Sequence, residues 1–139
     1  MKIHNQGGCM KKLEIYKCGV CGLTVEVLSG CQCAEPAVCC GRPMQVMSEQ
    51  TADFKTEKHV PFPESTAAGM RVTVGKEMLH PMTEEHHIEW IEVDSGPFTY
   101  RKYLKPGDSP AADFPIPLNR GMIVREFCSI HGLWKFEVK

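Results

Sequence analysis

The sequence predicts an all-β protein in two parts, a small cysteine-metal domain followed by a β-barrel or sandwich. Three observations carry this. Seven of the eight cysteines fall before residue 41. The remainder is a series of short β-branched or aromatic runs of period two, separated by proline-rich connections. No segment sustains a helical period. At 139 residues the chain fits one medium domain or two small ones, and a small domain needs a staple.

Residues 1–9 read as an N-terminal extension. Leu13–Tyr16 and Leu23–Leu28 read as short strands, the second alternating Leu23, Val25 and Val27 against Thr24 and Glu26. Gly30 to Gly41 is turn residues and cysteine. The composition turns polar at Ser48–Thr56, which is taken as a joint, giving a cysteine domain at 10–48 and a second domain at 49–139. Beyond it, Met70–Val74, His86–Val93, Phe98–Leu104, Met122–Cys128 and Leu133–Val138 have strand character. Pro61/Pro63, Pro106/Pro110 and Pro115/Pro117 mark the connections.

Net charge is −1 with acids and bases interspersed, so the chain has no basic footprint for nucleic acid. No run of eighteen apolar residues exists, and Met1 to Lys12 has no apolar core of a secretory signal. A cytoplasmic protein is the resulting expectation. Clustered cysteines there are expected to be metal ligands rather than disulfides.

Five residues of the second part could reach one metal: His59, His80, His86, Cys128 and His131. A tetrahedral zinc site closes at four ligands, so this set has one too many. It suits a redox iron, because imidazole binds ferrous iron and a single thiolate pushes electron density onto it. In the first part, Cys18-x2-Cys21 has the spacing of a metal knuckle, whose turn offers backbone N–H groups to thiolates. Cys39-Cys40 is unusual, because adjacent side chains diverge. Cys31 and Cys33 could instead complete a set with Cys18 and Cys21. If they do not, they are reactive thiols or a second site. Spacing does not separate zinc from iron.

Four motifs occur in order: Glu57-Lys58-His59-Val60-Pro61, His80-Pro81-Met82, His86-His87-Ile88-Glu89-Trp90-Ile91-Glu92, and Cys128-x2-His131-Gly132-x-Trp134-Lys135. Together they resemble the superoxide reductase module of the desulfoferrodoxins, also called neelaredoxin. Cys18-Gly19-Val20-Cys21 and the vicinal Cys39-Cys40 resemble the desulforedoxin-like module of that family. Met10-Lys11-Lys12-Leu13 resembles its usual start.

The resemblance implies an immunoglobulin-like β-barrel or sandwich for the second domain. It implies two iron ions, one on Cys18, Cys21, Cys39 and Cys40, the other on His59, His80, His86, His131 and Cys128. His86 is the ligand of the His86-His87 pair, since the family places an aromatic second. Lys58 resembles the lysine that attracts the anionic substrate, and Glu57 the residue that closes the open position in the oxidised state. A rubredoxin-like electron donor and a homodimer are implied as well. Trp90 and Trp134 read as core aromatics.

The expected activity is reduction of superoxide to hydrogen peroxide, which needs one electron and two protons. Zinc has no redox chemistry and cannot supply the electron. One alternative is a non-catalytic iron- or zinc-binding electron-transfer protein, in which Cys128 and Lys58 would be superfluous. A dismutase is disfavoured, because a strong thiolate donor opposes oxidation of superoxide by the ferric site.

Overall fold

The computed structural model describes residues 9–53 and 58–139, and all regular structure among them is β. No helix there is long and apolar enough to cross a membrane. The chain divides into two compact units, Met1–Met47 and Ser48–Lys139.

The small unit has five very short strands: β1 (Ile15–Lys17), β2 (Thr24–Glu26), β3 (Val38–Cys39), β4 (Arg42–Pro43) and β5 (Gln45–Val46). β1 is central in an antiparallel sheet of order β2-β1-β5, and β3 pairs with β4 as a separate hairpin. Strands of two or three residues bury little, and the core here is Tyr16, Cys18, Val27 and Met44. The hairpin occupies a stretch that the sequence had suggested was only turn. Its two central residues, Cys40 (φ 52°) and Gly41 (φ 70°), are both left-handed, the signature of a type I′ turn. The twist at Cys40 breaks the strand-like divergence expected of adjacent side chains.

The larger unit packs two antiparallel sheets. One contains β6 (Pro61–Thr66), β7 (Gly69–Val74) and β10 (Ala111–Phe114), in the order β10-β7-β6. The other contains β8 (Ile88–Asp94), β9 (Thr99–Tyr103), β11 (Ile123–Cys128) and β12 (Gly132–Glu137), in the order β12-β11-β8-β9. Met70, Val72, Val74, Ala112 and Phe114 of the first sheet meet Ile88, Ile91, Val93, Val124 and Cys128 of the second in one core. This is the sandwich the sequence predicts.

Two strands differ from the sequence expectation, and proline explains both. β6 contains Pro61 and Pro63, read from sequence as a connection. It is an edge strand, and prolines two apart turn the same way, so both missing N–H groups fall on its open side. β10 is four residues squeezed between Pro110 and Pro115, with Ala112 and Phe114 inward. β8 starts at Ile88 rather than His86, because Thr83 and His86 close a tight turn by mutual backbone bonds of 2.9 and 3.3 Å.

A bulge connects the fold to the site. Phe127 pairs with Trp90, but Cys128 pairs with Ile88, so Glu89 is an extra residue in β8. Bulges re-aim the residues beside them, and here that residue is Cys128. On the opposite face of this sheet the fully buried Glu92 accepts bonds from Arg125 Nε (2.5 Å) and Arg101 Nε (3.0 Å). Removing either arginine would leave a buried charge poorly compensated.

Candidate metal centres

Cys18, Cys21, Cys39 and Cys40 place their sulfurs within 4.8 Å of one another. The knuckle is built as the spacing suggests: Cys18 N donates to Leu23 O (2.8 Å) and Gly22 N to Cys18 O (3.1 Å). The amides of Val20 and Cys21 lie 3.4 and 3.5 Å from Cys18 Sγ. Those amides, Cys21 first, pull the Cys18 thiol down to about 6. Hydrogen bonding to Cys18 and Cys21 pushes Cys39 up to about 12, because neighbouring thiolates cannot all form without a cation.

The spacing fits a metal. Tetrahedral thiolates at bonds of about 2.3 Å stand roughly 3.8 Å apart. Cys21–Cys39 and Cys39–Cys40 sulfurs are 3.7 and 3.9 Å apart. Cys31 and Cys33 do not join the group, so the alternative set with Cys18 and Cys21 is not the one the fold assembles.

The second cluster draws on four separate stretches of the larger unit. His59 precedes β6, His80 and His86 lie between β7 and β8, Cys128 ends β11, and His131 is in the β11–β12 turn. One ligand atom each from His59, His80, His86 and Cys128 falls within a 4.8 Å spread. His131 Nδ1 is 3.0 Å from His59 Nε2 and 3.8 Å from Cys128 Sγ, which is itself 3.5 Å from His80 Nε2. Imidazole nitrogens on opposite sides of one ion, at bonds of about 2.1 Å, stand roughly 4.2 Å apart. The donor set and its spacing therefore fit one ion, and the mixture of soft thiolate and imidazole suits iron.

Local structure explains the aim of each ring. His80 Nδ1 lies 2.7 Å from Pro81 O, and a carbonyl only accepts, so Nδ1 carries the proton and Nε2 is left for the cluster. Gly75 (φ 88°) lets the loop fold back tightly: a Cβ there would sit 2.1 Å from Met78 O and 2.8 Å from His80 N. His59 stacks on Trp134 at 4.5 Å and 15°. The His86 ring is 4.7 Å from His80 and 5.0 Å from His131. His87 turns elsewhere: Nδ1 lies 3.1 Å from Thr83 O, and its amide donates to Ser129 Oγ.

Two further residues hold the site and carried no motif. Asp53 Oδ1 accepts the amides of both His59 (2.7 Å) and Val60 (2.8 Å). Gln50 Nε2 donates to His131 O (2.7 Å), and its backbone pairs beside Trp134. Both fall in the polar stretch that the sequence suggested was only a joint. Its polarity concealed side chains whose partners lie far along the chain.

The cluster is closed on one side and reachable on the other. His59, His80 and Cys128 are buried, whereas His86 and His131 are half-buried. Lys58 is half-buried and lines a cavity of about 220 Å³ with Asp53, Phe62 and Lys76, although no cluster residue lines it. Glu57 lies outside the described residues.

Residues 51–137 match the family model Desulfoferrodoxin. The desulfoferrodoxin of Nitratidesulfovibrio vulgaris is 51% identical over 89% of this chain and 95% of its own length. The superoxide reductase of Pyrococcus horikoshii is 36% identical over 65% of this chain and 93% of its own. The crystal structure of the Treponema pallidum superoxide reductase has the same fold, with a TM-score of 0.70 at 23% identity. It covers 92% of this chain and 100% of that one.

Proposed function

The chain belongs to the desulfoferrodoxin family, and on that premise we propose that it is a superoxide reductase, an oxidoreductase with two iron sites. The observation that carries the reading is the convergence of four imidazoles and one thiol on a single small volume, sealed behind Cys128 and reachable beside His86 and His131. His59, His80, His86, His131 and Cys128 would hold the catalytic iron; Cys18, Cys21, Cys39 and Cys40 would hold the other.

Iron held there would supply the one-electron chemistry that the reaction needs. Superoxide gains that electron and two protons and leaves as hydrogen peroxide. The Cys128 thiolate, buried in the sandwich core, donates electron density from the closed side. The Pro81 carbonyl keeps a proton on His80 Nδ1, which leaves Nε2 as the nitrogen that would bind the ion. Lys58, beside His59, attracts the anion, and solvent reaching the half-buried side delivers protons. Glu57 would serve as a further ligand when the iron is oxidised. The thiolate-only site serves structure or electron transfer. A rubredoxin-like donor restores the ferrous state, and the protein works as a cytoplasmic homodimer.

Anaerobic ferrous protein given a pulse of superoxide tests this. One peroxide per superoxide, with no dioxygen, is expected. Half that yield with dioxygen would identify a dismutase, and no peroxide an electron-transfer protein. Cys128→Ser should abolish steady reduction even where iron is retained.

A further inference from the structure

Cys31 and Cys33 belong to neither cluster. They lie between β2 and β3, in Gly30-Cys31-Gln32-Cys33, with Cys31 half-buried and Cys33 exposed. Their sulfurs are 3.3 Å apart, with Cys33 the donor. The backbone seats the pair: Cys31 N donates to Met10 O at 3.1 Å, and Cys33 Sγ lies 3.7 Å from Glu35 O. No third His, Cys, Asp or Glu ligand atom among the described residues groups with them, so those residues supply only two of the four ligands of a tetrahedral ion. A disulfide needs the sulfurs at about 2.05 Å, an approach of little more than an ångström.

The two thiols are unequal. Hydrogen bonding from Cys33, then from the Met10 backbone, draws Cys31 below its ordinary value. The same pairing raises Cys33. Cys31 is thus the better nucleophile, and Cys33 keeps a proton.

We propose that Cys31 and Cys33 form a redox-active dithiol that hydrogen peroxide oxidises to a disulfide. The Cys31 thiolate attacks one peroxide oxygen and the O–O bond breaks. The departing hydroxide takes a proton to become water, leaving a sulfenic acid on Cys31. Cys33 sulfur then attacks Cys31 sulfur, the S–O bond breaks, and the hydroxide leaves with the Cys33 proton as a second water. Two thiols and one peroxide give one disulfide and two waters, the two electrons coming from sulfur. A dithiol reductant reverses it by exchange. The site thus consumes the product of the reaction assigned above. That source of peroxide rests on the proposed superoxide reductase activity, whereas the reactivity of the pair does not.

The test adds hydrogen peroxide directly to the metal-loaded full chain, followed by alkylation and peptide mass analysis. The peptide carrying both thiols should lose two hydrogens, resist alkylation and recover with a thiol reductant. Cys31 should react at least about tenfold faster than Cys9, as expected of a thiol favoured as thiolate. Cys33→Ser should stop at a sulfenic acid on Cys31, trapped by a dione probe, and Cys31→Ser should abolish the trapping. The double variant should reduce superoxide as the parent does. A pair that stays alkylatable, a sulfenic acid trapped on Cys9 instead, or a zinc ion retained by the parent and lost from the double variant would each overturn the proposal. An inert pair in a protein that reduces superoxide removes only the dithiol site; an active pair in one that does not removes only the peroxide source.

Discussion

Four thiols in the small unit and four imidazoles with one thiol in the larger one reach similar ligand spacing by different routes. The thiols sit on a knuckle and a type I′ turn, between strands of two or three residues around a core of four side chains. Only Cys18 of the four is buried. The imidazole cluster hangs from the end of a two-sheet sandwich whose core includes Cys128 itself. Hydrogen bonds accepted by Asp53 and the Pro81 carbonyl and donated by Gln50 are in place around it. The first region is expected to depend on its metal for much of its folding. In the second the fold prepares the metal site and can keep one side open for chemistry.

Removing metal under reducing conditions should therefore separate the regions most sharply. Amides of β1 to β5 are expected to lose protection from hydrogen exchange, because a small metallo-domain folds with its ion. Amides of β7, β8 and β11 should remain protected. Equal loss in both would break the comparison.

The next effect concerns the charge of Lys58, the residue before His59. The chain carries a net charge of −1, so attraction of superoxide must be local. Lys58→Ile should slow the second-order reaction by about tenfold or more, the scale of electrostatic steering. The parent rate should fall with ionic strength, and the variant's should fall less. Iron content should not change. An unaltered rate with the same salt dependence would make Lys58 an ordinary solvated lysine.

A smaller effect tests whether the site is prepared by the fold. Asp53→Ala removes the acceptor for two amides at His59 and should weaken metal retention in the imidazole cluster by roughly tenfold, as supporting contacts around ligands do. Asp53→Asn keeps an acceptor oxygen and should restore most of it. Equal metal release from Ala, Asn and parent would remove Asp53 from the account.

Much of this architecture was legible because alternation and side-chain chemistry are local. β7 alternates in burial, and β8, β9, β11 and β12 are β-branched or aromatic runs that a short window reveals although their burial does not alternate. β6 and β10 were hidden because proline breaks the local signal while remaining compatible with an edge. The Cys39-Cys40 geometry was hidden because it depends on a cysteine with positive φ. Asp53 and Gln50 were hidden for a different reason. A polar side chain in a polar stretch looks solvated until its partner, as far away as His131, is folded against it.

The central claim is that superoxide is reduced at the imidazole–thiolate cluster and not at the four-cysteine one. The most direct measurement is the rate and yield of the superoxide reaction in Cys40→Ser, with the imidazole site fully loaded with ferrous iron. The account expects the four-cysteine centre to bleach while the rate and one-to-one peroxide yield stay at the parent values. Loss of peroxide formation in that variant, with iron still held by His59, His80, His86, His131 and Cys128, would contradict it.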